Sequence, residues 1–98
     1  MKKKMTQKLF DLSNKTIILT GSAGRLGSNF AEILADAGAN LVLIDINEKE
    51  NKKLEKRITK KFKIKCISSN ANITIKKELL ELTKIIIKKF GKIDGLVN

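Results

Sequence analysis

Ninety-eight residues allow one small domain, and recurring blocks of Ile, Leu and Val within a 42% hydrophobic composition exclude a disordered chain. Histidine, tyrosine and tryptophan are absent, which removes several common catalytic side chains, and a single cysteine excludes an intramolecular disulfide. The net charge of +11 comes mainly from lysines mixed with glutamates, without aromatic interleaving, so we expect solvated surfaces and no specific nucleic-acid partner.

The first predicted strand and helix flank a glycine-rich turn. Residues 1–8 are interpreted as a flexible basic lead and residues 9–98 as one domain. The β-branched run TIILT, residues 16–20, predicts a buried strand that leads into GSAGRLG. Gly38 is typical of a residue that ends the following helix. The apolar face predicted for that helix consists of Leu26, Phe30, Ile33, Leu34 and Ala37.

A second strand and helix follow directly. The apolar run LVLI, residues 41–44, predicts a buried strand. Asn47 is a good N-cap for a helix that extends to about Lys61, because its side chain can accept a backbone N–H bond. This helix is mostly polar, and we expect Leu54 and Ile58 to face inward.

The last strands enclose a third helix. Residues 64–67 and 93–97 are apolar and predict strands. Thr74 is predicted to cap the helix between them, and Gly91 to end it. The stripe predicted to face the core consists of Ile75, Leu79, Leu82, Ile86 and Phe90.

The element order β-α-β-α-β-α-β predicts an α/β fold. Continuous apolar strands that alternate with helices indicate a parallel sheet covered on both faces. We therefore expect a partial Rossmann-type, doubly wound sheet that lacks its C-terminal half. No membrane span or signal peptide is recognisable, so we expect a cytoplasmic protein in which Cys66 is buried and unreactive.

The turn after the first strand is suited to phosphate binding. Gly21 can adopt the tight backbone angles of a turn, and Gly24 lets a phosphate approach the backbone. Gly27 allows the helix to pack closely against the strand. The free N–H groups around Arg25 and Leu26 would attract a pyrophosphate, and Arg25 adds a positive charge. A glycine-rich turn without a ligand is the alternative interpretation.

Asp45 lies 18 residues after Gly27, at the end of the second predicted strand. A carboxylate there can accept hydrogen bonds from both hydroxyls of an adenosine ribose and would repel a 2′-phosphate, which favours NAD over NADP. An ordinary strand-end aspartate is the alternative. A P-loop is disfavoured because Ser28, not lysine, follows Gly27. A methyltransferase would carry an acid where this chain has Thr20.

Five segments occur in an order and at a spacing typical of one enzyme family. LFDLSNKTIILTG matches its usual entry, TGSAGRLG its cofactor turn, and GANLVLIDIN its second strand. NIT, residues 72–74, is similar to the Asp-Val-Thr that contacts adenine. GKIDGLVN matches the run that leads into Asn-Asn-Ala-Gly. From about Leu9 to Asn98, the chain resembles the short-chain dehydrogenase/reductase family.

The resemblance implies an NAD-dependent oxidoreductase that transfers a hydride between nicotinamide and an alcohol or ketone, with a sugar derivative as a candidate substrate. A homo-oligomeric parent protein is also implied. Asp45 would bind the ribose with Ile46 against the adenine. Asn72 and Ile73 would flank the adenine edge, and Asn98 would border the ribose pocket. The implied cofactor-binding residues are Gly21, Ser22, Gly24, Arg25, Leu26, Gly27, Asp45, Ile46, Asn72, Ile73 and Asn98.

Three positions depart from the family pattern. Arg25 stands where the classical TGxxxGxG turn has its second glycine, so the turn fits the TGxxGxxG of the extended branch, whereas GLVN points to the other branch. Asn72 replaces an aspartate and would be a weaker acceptor because it carries no charge. Asn14 replaces a common glycine and is expected to alter only a turn.

The family's catalytic Ser, Tyr-x-x-x-Lys and Asn lie downstream of Leu-Val-Asn. We interpret the sequence as cut short by a truncated gene, a frameshift or an incomplete read. We predict no catalytic residue and no metal site in these 98 residues, and expect weak or absent NAD affinity and poor solubility. A non-catalytic nucleotide-binding module, a Rossmann-like methyltransferase fragment and a basic nucleic-acid binder are the alternatives.

Overall fold

The computed structural model describes residues 10–98, so the predicted flexible lead at residues 1–8 lies outside the described residues. Strands and helices alternate along this part of the chain, as the sequence predicts. The elements are β1 (Thr16–Thr20), α1 (Arg25–Asp36), β2 (Asn40–Ile44), α2 (Glu48–Lys61), β3 (Cys66–Ser69), α3 (Lys76–Phe90) and β4 (Gly95–Val97).

The strands form one parallel sheet in the order β3-β2-β1-β4. The chain builds outward from β1 to β3 and then returns to the other side of β1. Thr20 pairs with Ile44, which pairs with Ser69, so three strands end at the same edge. The predicted α/β class and the Rossmann-type topology are confirmed.

Helices cover both faces of the sheet. The side chains of β2 alternate between the faces because successive residues of a strand point in opposite directions. On one face, α1 and α2 pack on the sheet through Leu19, Ala31, Ala35, Leu41, Leu43, Leu54 and Ile58. On the other face, α3 packs on the sheet through Val42, Ile44, Leu82 and Ile86. The inward orientation predicted for Leu54 and Ile58 is confirmed.

The inner face of α1 differs from the prediction. Leu26 is 70% exposed and Ile33 is 55% exposed, and Phe30 is exposed as well. Ala31 and Ala35 are the residues of α1 that lie buried against the sheet. Of the predicted apolar face, Leu26, Phe30 and Ile33 are therefore exposed, whereas Leu34 packs partly buried against the core and Ala37 is buried.

A close approach of α1 to the sheet explains this difference. A Cβ atom added to Gly27 would lie 2.1 Å from the carbonyl oxygen of Gly21, so the first turn of α1 lies almost in contact with the end of β1. At that separation small side chains fit between helix and sheet, and larger ones point outward. Helical spacing shows which residues share a face, but not which face meets the sheet.

Three of the predicted helix-end residues are confirmed. Gly38 follows α1 with a φ of +97°, and Gly91 follows α3 with a φ of +81°, a conformation that glycine adopts readily. Asn47 accepts the N–H of Glu50 at 3.2 Å and caps α2.

The predicted cap of α3 was wrong. Ile75 occupies the N-cap position, where no side chain accepts a backbone bond. Thr74 instead donates its hydroxyl to Asn72 Oδ1 at 2.6 Å. The backbone N–H of Thr74 bonds to the same oxygen at 3.0 Å, so an Asn-centred turn takes up the threonine before the helix begins. In the predicted stripe, Leu82 and Ile86 are buried and Phe90 packs partly buried against the core, whereas Ile75 and Leu79 are exposed, so the inward orientation was wrong for these two.

Two strands are shifted from their predicted bounds. β3 spans Cys66–Ser69 instead of residues 64–67, because serines are tolerated at the end of an edge strand that faces solvent. β4 spans Gly95–Val97 instead of residues 93–97. No helix within residues 10–98 has both the length and the apolar character that crossing a bilayer requires.

Candidate functional site

The carboxyl ends of β1, β2 and β3 meet the start of α1 at one edge of the sheet. The strand order reverses between β1 and β4, which is the place where open parallel sheets bind ligands. Both sequence motifs of interest, the glycine-rich turn and Asp45, lie at this edge.

The glycine-rich turn is anchored to β2. Gly21 has a φ of +67°, which places it in the left-handed region that glycine enters without a steric penalty. The N–H of Ser22 bonds to the Ile44 carbonyl oxygen at 3.2 Å, and the N–H of Gly24 bonds back to the Gly21 carbonyl at 3.3 Å. These contacts fold the chain directly from β1 into α1.

The start of α1 presents unpaired backbone donors. Gly24 is the N-cap, and no side chain caps it. The first helical backbone bond runs from Ser28 N to Gly24 O at 2.8 Å. The N–H groups of the preceding residues, Arg25 to Gly27, therefore have no acceptor within the helix. Arg25 is exposed beside them, so this end of α1 carries the positive potential that attracts an anion.

Asp45 lies beside the turn and is partly buried. Its Oδ2 atom accepts the N–H of Ala23 at 2.9 Å, and its Oδ1 atom accepts the N–H of Asn47 at 2.8 Å. The two bonds fix the carboxylate between the turn and the start of α2. Each carboxylate oxygen has a second lone pair, so Asp45 can still accept a hydroxyl from a ligand.

A cleft of about 300 Å³ opens at this edge, above the end of the sheet. Its lining combines the turn, the end of β2 and the segment after β3, and comprises Thr20, Gly21, Ile44, Asp45, Ile46, Ala71, Asn72 and Ile73. Ile46 is 87% exposed, so it offers an apolar surface to a flat ligand group. Five of the eleven predicted binding residues line this cleft.

The other six predicted residues are not part of the cleft lining: Ser22, Gly24, Arg25, Leu26, Gly27 and Asn98. Ser22 is buried and both its hydroxyl and its N–H are bonded within the protein, so its polar groups do not face the cleft. Asn98 Oδ1 accepts the hydroxyl of Thr20 at 2.6 Å, which places Asn98 at the end of β1. Asn72 Oδ1 already accepts two bonds from Thr74, so a ligand would compete for that oxygen.

Two structural residues are not among the predicted ones: Asn51 at this edge, and Asp94 at the opposite, amino-terminal edge of the sheet. Asn51 is buried in α2 beneath the turn. Its position three residues before Leu54 on the inward stripe was the available signal. Asp94 precedes β4 and accepts the N–H of Thr16 through Oδ2 at 2.8 Å. Only the pairing of β4 with β1 reveals that bond. Within residues 10–98, no group of His, Cys, Asp and Glu is arranged to hold a metal ion.

Comparison with known proteins agrees with this geometry. The family model described as short chain dehydrogenase matches residues 15–98. The chain belongs to the short-chain dehydrogenase/reductase family. A diacetyl reductase, (S)-acetoin forming, from Staphylococcus epidermidis is 41% identical over 85 residues, which are 87% of this chain and 33% of that protein.

Solved structures of this family superpose on the chain. A protein from Haemophilus influenza, described as a D-mannonate oxidoreductase with bound NAD, is 31% identical to this chain and superposes on it with a TM-score of 0.85. The match covers 95% of this chain and 32% of that protein's chain. An NAD+-bound xylitol dehydrogenase is 27% identical to this chain, with a TM-score of 0.80. That match covers 87% of this chain and 32% of the dehydrogenase chain. The chain thus spans about a third of the length of these short-chain dehydrogenases.

Proposed function

We propose that the chain is the dinucleotide-binding segment of an NAD-dependent short-chain oxidoreductase. One observation carries the proposal: the Asp45 carboxylate lines the cleft and accepts the N–H of Ala23, in the turn that leads directly to the unpaired N–H groups at the start of α1. The N–H groups are suited to a pyrophosphate and the carboxylate to ribose hydroxyls. The close contact of Gly27 with Gly21 supports the proposal, because it holds the start of α1 against the end of β1.

The residues of this chain bind and orient the cofactor. Gly24, Arg25 and Leu26 would lie against the pyrophosphate, and Asp45 would bind the adenosine ribose. Ile46 would lie against the adenine. Bound nicotinamide would supply or accept the hydride, and we assign no proton-transfer role to the residues of this chain, which include neither tyrosine nor histidine.

The names of the relatives support a proposal for the substrate class. We propose an alcohol or ketone, with a sugar derivative as the narrower candidate, because the relatives named above include proteins described as acting on D-mannonate and xylitol. We further propose a homo-oligomeric, cytoplasmic parent protein. The preference for NAD rests on Asp45, whose charge would repel the 2′-phosphate of NADP.

A titration followed by amide NMR tests cofactor binding at the weak affinity expected of a partial domain. NAD added to about 10 mM should shift the amide signals of residues 21–27, 45–46 and 72–73 along a saturating curve. NADP should shift them less. The substitution Asp45→Ala should weaken NAD binding about tenfold and reduce the difference between the two cofactors.

The control for this experiment is Glu81→Gln, which removes an exposed carboxylate from α3 and should leave the titration unchanged. Absence of shifts with the unsubstituted chain, or equal NAD binding by Asp45→Ala, would refute dinucleotide binding at this site. Shifts that spread over the lysine-rich helices and vanish with added salt would instead indicate nonspecific polyanion binding.

A further inference from the structure

A buried amide lies beneath the cofactor turn. Asn51 is 1% exposed and Ser22 is fully buried, and both are polar residues in a core that is otherwise mostly apolar. Asn51 lies in the first turn of α2, where its N–H bonds to the carbonyl oxygen of the cap residue Asn47 at 3.0 Å. A polar side chain is buried at such a place only when its hydrogen bonds are satisfied.

The side chain of Asn51 connects three segments. Its Nδ2 atom donates to the Leu43 carbonyl at 2.8 Å and to the Ser69 carbonyl at 3.4 Å, at the ends of β2 and β3. Its Oδ1 atom accepts the hydroxyl of Ser22 at 2.6 Å, in the glycine-rich turn. Because carbonyl oxygens only accept, the amide nitrogen must face them, and the oxygen must face the serine.

The turn is therefore held from below as well as from the side. Ser22 bonds to Asn51 through its hydroxyl and to Ile44 through its N–H, and the next N–H, of Ala23, bonds to Asp45. The anion-binding N–H groups of α1 follow directly in the chain. Their distance from the Asp45 carboxylate thus depends on the Asn51–Ser22 bond.

We propose that Asn51 is a positioning residue that, through Ser22, sets the turn for the phosphates of a dinucleotide. The inference rests on the proposed function, because it assigns the Asn51–Ser22 pair to the same cleft. It predicts a selective effect: loss of the pair moves the phosphate-binding turn, whereas the ribose site at Asp45 retains its own anchor to Asn47.

Two ligands separate these effects. ADP contacts both parts of the site and adenosine only the ribose part. In the 98-residue chain, Ser22→Ala and Asn51→Leu should each weaken ADP binding about fivefold, the value of one hydrogen bond, and change adenosine binding less than about twofold. The double substitution should weaken ADP binding no more than Asn51→Leu alone, because that substitution already removes the bond between Ser22 and Asn51. Glu81→Gln is the control.

The substitution Asn51→Asp supplies a readout that a purely structural role would not move. A protonated carboxyl group at position 51 can donate to the Leu43 carbonyl and accept from Ser22, as the amide does. An ionised carboxylate has no proton to donate, so the Leu43 and Ser69 carbonyl oxygens would repel it and displace it from its place beside Ser22. The ratio of ADP to adenosine affinity should therefore match the unsubstituted chain near about pH 5 and fall toward about pH 8.

The other titratable groups near position 51 are the same in the Asn51→Asp variant and in the unsubstituted chain. Glu48 and Lys52 of α2 line the cavity beside Asn51, Glu55 accepts the Ser68 hydroxyl from β3, and Asp45 follows β2. The unsubstituted chain, titrated at each pH, measures their contribution and that of the ADP phosphates.

The outcomes distinguish the two proposals. If Asp45→Ala weakens both ligands while Ser22→Ala leaves ADP binding unchanged, the positioning role is wrong and the proposed function stands. Equal weakening of ADP and adenosine by Ser22→Ala also overturns the positioning role. If the unsubstituted chain binds neither ligand, both proposals fail. Should Asn51→Leu not fold, Ser22→Ala and the pH profile of Asn51→Asp decide the question.

Discussion

Glycines of the turn between β1 and α1 have separable roles. A Cβ on Gly27 would lie 2.1 Å from the Gly21 carbonyl oxygen, whereas a Cβ on Gly24 would lie at an ordinary 3.5 Å from the same atom. Gly27 therefore determines how closely the helix approaches the sheet. At Gly24 the fold leaves room for a Cβ atom.

These distances predict that Gly27→Ala and Gly24→Ala differ in their effects on stability and on NAD binding. Gly27→Ala should lower the free energy of unfolding by about 1–3 kcal/mol, because backbone must move to relieve the overlap. Gly24→Ala should cost less than about 1 kcal/mol, the difference between glycine and alanine as an N-cap, yet weaken NAD binding. Urea unfolding and the NAD titration measure the two quantities. Equal unfolding midpoints for both variants would show that the contact at Gly27 is not limiting.

Asp94 is the residue that attaches the shortest element, β4, to the sheet. Its N–H bonds to the Thr16 carbonyl at 2.9 Å, and its carboxylate accepts the Thr16 N–H at 2.8 Å. That bond, assisted by the positive charge of Lys92, lowers the pKa of Asp94 below its ordinary value of 3.8. An ionised side chain outside the strand thus adds to the pairing that holds β4 on β1.

This attachment predicts a specific acid sensitivity. A carboxyl whose pKa is lower in the folded state stabilises that state above the unfolded pKa of about 3.9, and the contribution disappears as the pH falls through the folded pKa. Asp94→Asn should therefore lower the urea midpoint near neutral pH and flatten its decline below about pH 4. Glu81→Gln is the control. An unchanged slope for Asp94→Asn would contradict the assignment.

Individual strands, helices and helix ends could be predicted from the sequence, because they depend on local chemistry. Contacts between residues far apart in the sequence could not. The strand TIILT, the cap Asn47 and the glycines at 38 and 91 follow from propensity and backbone conformation. The inward face of α1 depends on how closely the helix approaches the sheet. Thr74 was misassigned because a local turn at Asn72 competed with the helix cap.

The candidate site likewise combines features that the sequence predicts with a long-range contact that it does not predict. Asp45 and the turn are recognisable from residue types that bind phosphates and ribose in any parallel sheet. Ser22, in contrast, matches the family pattern by position, but its hydroxyl is bonded to Asn51, 29 residues away in the sequence. No local pattern indicates that pairing.

At the scale of the whole molecule, a small core coexists with large exposed apolar faces. The exposed apolar side chains on the outer faces of α1 and α3 include Leu26, Phe30, Ile33, Leu80, Ile85 and Ile87. Surfaces of this kind favour association, which agrees with the expectation of poor solubility. The high net charge of +11 opposes association at low ionic strength.

The reactivity of the single thiol, that of Cys66, measures whether the chain remains folded around its core. Cys66 is buried on β3; burial raises the pKa of its thiol to about 12, and the nearby Glu55 carboxylate acts in the same direction. Because the thiolate is the reactive form, labelling by a disulfide reagent near about pH 8 should be at least about a hundredfold slower in buffer than in urea. Comparable rates in the two conditions would show that the chain does not maintain this fold.

The strand order also has a consequence for synthesis. β1 leaves the ribosome first, yet it lies in the interior of the sheet, between β2 and β4. Its pairing with β2 needs only the first 44 residues, whereas its other edge stays open until residues 95–97 are made. During translation, an unpaired strand edge is therefore exposed beside a nearly finished cofactor turn, and a chaperone would encounter the molecule in that state.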